Sequence, residues 1–335
     1  MEHALMCPQC GGQLAPHRFA SSIVCPYCGA TVRLDESSVS AALFHTAFRV
    51  WNAPESYPFP AWDSIGNSYW AVENLIASGD ISDVYSGRRA RWPTELVILK
   101  RLRDRQDAEL FDNEWRVLQA LHASQASGAY NFITLLPQPV LHGDVTAGVH
   151  AGARISIFRR ACGFRHTFAD VIRVYLQGIP PRASIWVWRR ILEVLSFIHA
   201  SGMVHGAVLP PHLLVQAGEH GVRLVGYGAA GRTGDPLRPP SPGFASFYPP
   251  QFGSALTPQL DLAMSACCLA VLLGGDPAAA LLPPSVPAPL AALIRRIALS
   301  TPTASESAWA IREELGRLAA DLYGPPQFIP IVMPS

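Results

Sequence analysis

Apolar residues alternate around Val84-Tyr85 and along Leu96-Val-Ile-Leu-Lys100, a spacing that predicts short antiparallel strands. Two further apolar runs, Phe132–Leu136 and Arg154–Phe158, predict strands as well. Between the two pairs, Ala108–His122 reads as a helix with Phe111, Leu118 and Leu121 on one stripe. Glu114 falls on that stripe, and a carboxylate on a buried face needs a cationic partner to offset its desolvation. Beyond Pro181 the pattern becomes helical. Ser184 is placed to cap Ile185–Ala200, whose stripe is Trp188, Ile191, Leu192, Leu195 and Ile198, and Gly202 stops the helix. A hairpin follows, Leu213–Val215 turning to Val222–Val225. Three more helices are expected, from Asp261, over Leu290–Leu299 and over Thr303–Tyr323. The last opens on a Thr303/Glu306 capping box and ends at Gly324-Pro325-Pro326. Met264, Leu269 and Leu272 read as core.

Composition narrows the functional classes. Of the 335 residues, 49% are hydrophobic and 15% charged, which excludes disorder over most of the length. Lys plus Arg number 26 and Asp plus Glu 25, a net charge of +1 that argues against a nucleic-acid coat or a polybasic membrane anchor. No secretory signal is visible, and the longest apolar stretch, Leu262–Gly275, is too short to span a bilayer. A soluble, cytoplasmic protein is the expectation. All of the 26 basic residues but one are Arg, and the exception is Lys100.

Four of the seven cysteines form two matching units, Cys7-Pro-Gln-Cys10-Gly11 and Cys25-Pro-Tyr-Cys28-Gly29. Two residues between thiolates let both sulfurs reach one tetrahedral zinc ion at about 2.3 Å. The Gly after the second Cys permits a positive φ that turns backbone amides towards sulfur. Residues 1–34 are too few for a core of their own, so metal would supply most of their folding energy. Two disulfides are the alternative, which an intracellular chain disfavours. The segment resembles a zinc ribbon, with Cys7, Cys10, Cys25 and Cys28 as a closed, structural ligand set. Its basic surface is thin, Arg18, Arg33 and His17 against Glu2 and Asp35, and points to protein contact rather than nucleic acid. Cys162, Cys267 and Cys268 lack ligand spacing and read as core residues. Residues 35–68, with Trp51, Pro54, Pro58, Pro60 and Trp62, read as a Pro- and aromatic-rich linker.

The order of motifs over residues 69–325 resembles a eukaryotic-type protein kinase domain. Val-Ile-Leu-Lys100 matches the strand carrying the nucleotide-contacting Lys, and Glu114 its ion-pair partner on the first helix. Ala77-Ser-Gly79-Asp-Ile-Ser82-Asp-Val84 aligns with a Gly-rich phosphate loop. Met203-Val-His205 through His212-Leu-Leu-Val has the frame of the catalytic loop, Gly226-Tyr227-Gly228 of the metal-binding triplet, and Tyr248-Pro-Pro-Gln251 of the activation-segment end. Asp261 matches the carboxylate that starts the buried central helix. The resemblance implies an α+β, bilobal kinase-like fold, a small β-rich lobe and a large helical lobe, preceded by the ribbon and followed by a tail at 326–335.

Departures from the pattern carry the functional expectation. The base position is Ala207, the second metal ligand His212, and the main metal carboxylate is replaced by Gly226. Magnesium wants hard oxygen ligands, and phosphoryl transfer needs both base and metal. The Arg beside the base is Gly206, and Gln251 replaces the Glu that ends the segment. Asp80 and Asp83 are expected to set negative charge against a polyphosphate. His205 reads as structural, and His212 as a base with nothing to orient it. Prolines 236, 239, 240, 242, 249 and 250 are expected to preset the activation segment.

The favoured reading is therefore a pseudokinase without catalytic residues, a scaffold or allosteric regulator of protein partners. Binding of ATP or ADP without magnesium, at Lys100, Glu114 and Gly79, stays open. One rival is an atypical ATP-dependent transferase with a remodelled site. A second is a nucleic-acid module built on the ribbon, and a membrane role is not expected.

Overall fold

A computed structural model describes residues 5–7, 13–14, 22–26, 29–33, 61–89, 95–216, 220–277, 281–301, 305–327, 329 and 331–334. The chain divides into two compact units. One comprises Met1–Ser38, Leu121–Leu136 and Phe164–Ser335, and the other Val39–Ala120 and Pro137–Gly163. No helix among the described residues is long and apolar enough to cross a membrane.

The amino-terminal segment is two small hairpins, β1 (Leu5–Met6) with β2 (Gln13–Leu14) and β3 (Ser22–Val24) with β4 (Thr31–Arg33). Each places its first cysteine, Cys7 or Cys25, directly after the first strand.

The second unit is built on one antiparallel sheet. Its strands are β5 (Ala61–Ile65), β6 (Ser68–Ser78), β7 (Ser82–Arg89) and β8 (Leu96–Leu102). Helix α1 (Ala108–His122) and the short α2 (Ala129–Phe132) intervene in sequence before β9 (Gln138–Asp144), β10 (Ala147–Gly148) and β11 (Arg154–Arg159). The spatial order is β10-β5-β6-β7-β8-β11-β9. Only Val145 and Thr146 separate β9 at one end of that order from β10 at the other, so the sheet curls back on itself. Trp70, Val72, Val97, Leu99, Ile155 and Ile157 are buried together inside the curl. Alternation then sends Ile98 and Lys100 to the opposite face of β8.

Several sequence expectations change. β5 lies inside the stretch read as linker, so the sheet starts before Tyr69. Phe132–Leu136 is the end of α2 followed by a 3-10 turn over Ile133–Leu135, because an apolar run of five does not by itself distinguish strand from helix. The neighbouring strand is β9, hidden in the sequence by Pro139, which an edge strand tolerates.

The first unit is mainly helical. Strand β12 (His166–Thr167) leads into α3 (Phe168–Val174), closed at its start by a Thr167/Asp170 capping box. Helix α4 (Pro181–Ala200) begins with proline at its first position, and Ser184 lies inside it, donating to the Pro181 carbonyl at 2.7 Å rather than capping. Strand β13 (Met203–Val204), the hairpin β14 (Leu213–Gln216) and β15 (Gly221–Leu224), and β16 (Gly231–Arg232) follow. Helix α5 (Pro258–Leu272) is buried on nearly every side and capped by Thr257. Trp188 Nε1 donates to Ser265 Oγ at 3.1 Å, joining α4 to α5. Helices α6 (Ala288–Ala298) and α7 (Ala308–Tyr323) complete the unit. The cap of α7 is Ser307, whose hydroxyl accepts from Ala310 N, while Glu306 pairs with Arg296; Thr303 lies outside the described residues.

Candidate functional site

Within the sheet unit, Lys100 sits opposite Val84 on β7 and Ser156 on β11. Its Nζ donates to Glu114 Oε2 at 2.5 Å, with the carboxylate side chain 4% exposed and Lys100 17%. The helical stripe thus carries its buried charge to a cation, as the sequence requires. A second fastening, not foreseen in the sequence, holds the same helix. Arg154 makes a two-pronged contact with Asp112, at 2.6 and 2.9 Å. His142 spans Asp112 Oδ1 at 3.2 Å and Ser156 Oγ at 2.8 Å, with the Trp115 ring stacked on it. Burial holds the His142 pKa below its ordinary value, so the neutral ring accepts from Ser156 while donating to Asp112.

The turn between β6 and β7 closes on itself. Gly79 N donates to Ser82 O at 2.9 Å, and the Gly79 carbonyl accepts from Arg103 at 2.9 Å. Asp83 accepts from Arg101 at 2.7 Å and from Ser78 at 2.8 Å, with Arg103 at 3.9 Å. The Arg101 hydrogen bond, strongest among these influences, keeps the Asp83 pKa below the usual carboxylate range. The negative charge expected at Asp83 is thus matched by Arg101 on β8 and by Arg103 just beyond its end. The register sets Asp83 directly opposite Arg101, and Arg103 lies one residue past β8.

Within the helical unit, Asp261 is fully buried and organises the loop after β13. Its carboxylate accepts from His205 N and Gly206 N, both at 2.8 Å, and from His199 Nε2 at 2.9 Å. His205 is equally buried and donates through Nε2 to Val225 O at 3.1 Å, a structural role. His212 donates through Nδ1 to Ala207 O at 2.8 Å. Gly226 has φ +81, and a Cβ there would lie 2.6 Å from the His212 ring. Gln251 donates to two carbonyls at and just past the end of α6, Ala298 O at 3.3 Å and Ser300 O at 3.1 Å. The segment between closes on itself through Leu237 N to Ser254 O at 2.6 Å and Leu256 N to Asp235 O at 2.8 Å.

In the amino-terminal segment, Cys7 and Cys25 are both 1% exposed, and Cys10 and Cys28 lie outside the described residues. Gly29 adopts φ +70 and donates to Cys25 O, with Cys25 N donating to Ala30 O, both at 2.8 Å. No group of three or more His, Cys, Asp or Glu residues placed to hold a metal ion occurs among the described residues. Cys267 and Cys268 are buried, burial pushing the Cys267 thiol up to about 12, whereas Cys162 is exposed and not a core residue.

No family model matches this chain, and no curated protein does. Among solved structures, the crystal structure of the BubR1 kinase domain matches with TM-score 0.57 at 14% sequence identity, covering 84% of this chain and 94% of that one. The chain has a protein kinase-like fold. In the frame that the sequence resemblance supplies, the base and metal-ligand positions fall on Ala207, His212 and Gly226, and none of these offers a side-chain oxygen. The residues do not fit a magnesium ion held in that frame.

Proposed function

We propose that this chain is a catalytically inactive kinase homologue that acts by binding protein partners. The observation carrying the reading is the His212 ring packed against Gly226. A metal-binding carboxylate is missing at Gly226, and the room for its Cβ is taken by the residue that replaces the second ligand. The two losses are one repacked structure rather than two separate lapses. The doubly fastened α1 and the self-bonded turn at Gly79 support a body that presents a fixed surface.

Lys100 keeps the reading open to a nucleotide. Arg, used at every other basic position, would serve a plain structural pair, and a compact ammonium suits a phosphate contact. ATP or ADP would then bind without magnesium and bias the conformations available to the domain. Zinc held by Cys7, Cys10, Cys25 and Cys28 would fold the ribbon, which adds a protein-docking surface.

The test is incubation of the zinc-loaded chain with ATP labelled at the γ- or the α-phosphate, with magnesium or manganese and added protein substrates. No label on any protein is expected. Label that depends on Lys100 would replace this reading with the atypical transferase.

A further inference from the structure

Gly29 of the amino-terminal segment lies against Arg189 of α4, and both residues belong to the first unit. A Cβ at position 29 would stand 2.6 Å from Arg189 Nη2, 3.4 Å from Cζ and 3.5 Å from Nη1. The guanidinium thus occupies the space that any side chain there would need. Both this room and a φ of +70 call for glycine. The same residue closes the turn that carries Cys25, donating to Cys25 O at 2.8 Å while Cys25 N donates to Ala30 O at 2.8 Å. A planar cation is therefore set against the backbone of a cysteine turn.

Helix α4 holds that cation in place. Trp188, before it, is fully buried and donates to Ser265 Oγ, and Arg190, after it, is bound to the buried Glu193 at 2.7 Å. Arg190 is thus matched inside the helical unit, whereas the half-buried Arg189 brings its charge to the cysteine turn. Cys7 and Cys25 are soft donors of the kind zinc takes. Four thiolates outweigh the charge of one zinc ion, so a centre formed by Cys7, Cys10, Cys25 and Cys28 would be anionic as a whole. A guanidinium beside the turn lowers the cost of collecting that charge, and partial burial limits its screening by water and salt.

We propose that Arg189 is a positioning residue for the amino-terminal cysteine centre, docking the Cys25–Gly29 turn on α4 and offsetting the charge of the metal-bound thiolates. The inference rests on the zinc reading above and not on the kinase-like frame. It also ties zinc to the helical unit, because coupling between two sites is reciprocal. If docking on Arg189 strengthens zinc binding, zinc strengthens the docking by the same factor.

The test is competition for zinc between the full chain and a chromogenic chelator, after elemental analysis of the chain's metal content. Arg189→Met keeps an apolar stem without the charge, and is expected to weaken zinc binding about tenfold or more. Arg189→Lys keeps the charge and is expected to recover most of that loss. Far-ultraviolet ellipticity checks that each variant folds; should Arg189→Met not fold, Arg189→Gln, polar and uncharged, takes its place. A native chain that retains no zinc overturns the zinc reading and this inference with it. Zinc held equally by the native chain and a folded uncharged variant overturns this inference alone. Equal weakening by the uncharged variant and by Arg189→Lys would leave packing as the cause and overturn it as well.

Discussion

The imidazole of His212 fills the volume that a Cβ on Gly226 would need, with ring atoms 2.6, 2.7 and 2.8 Å from that position. Placing a carboxylate at 226 alone therefore fails on two counts, the collision and the left-handed backbone. Gly226→Asp is expected to destabilise the fold by roughly 2–4 kcal/mol in urea denaturation. Pairing it with His212→Asn is expected to recover part of the loss. Strict additivity of the two substitutions would show that the ring and the glycine are not coupled.

Asp261 holds the loop that carries Ala207 and His212. Asp261→Ala strands two buried N–H groups and the His199 ring, at an expected cost of about 3–5 kcal/mol. Asp261→Asn keeps an acceptor oxygen and is expected to lose less. Denaturant midpoints of the two variants order these outcomes, and equal loss would mean the hydrogen bonds are not what Asp261 contributes.

Lys100→Met leaves Glu114 buried without its cation. The expected loss is roughly 2–4 kcal/mol, reduced from the fully buried case because Lys100 is 17% exposed. Far-ultraviolet ellipticity is expected to stay unchanged, because Arg154 and His142 still fasten α1 through Asp112. In the combined variant Lys100→Met/Glu114→Leu most of the stability is expected to return.

These contacts show what was legible in the sequence. Ala108–His122 was placed to the residue, since its apolar stripe and its one buried charge agree on a single face. The Lys100–Glu114 pair followed from motif order, and Asp261 and His205 from the loop frame. The Asp112–Arg154–His142 fastening was not legible, because it joins α1 to β9 and β11, whose pairing of Ser156 with His142 exists only once the strands are placed side by side. Strand β5 was hidden because a short strand with one buried face needs its partners before its pattern means anything. Ser184 misled for a related reason: a good capping residue lost to Pro181, which starts the helix one turn earlier.

Burial lowers the His220 pKa to about 4 from an ordinary 6.5, outweighing the hydrogen bond to Ile329. The folded state thus resists a proton that the unfolded chain accepts. This contribution to stability is complete above pH 6.5 and is lost as pH falls from there to about 4. The melting temperature of the native chain is expected to fall over that window more steeply than that of His220→Gln. Parallel curves would remove His220 from the tail's anchoring.

The central claim is that this kinase-like body holds no magnesium against a nucleotide. Titration calorimetry of the zinc-loaded chain with ATP, once with magnesium and once with no added divalent ion, tests it directly. The account expects the same affinity in both, or no heat in either. Binding that appears or tightens sharply only with magnesium would contradict it.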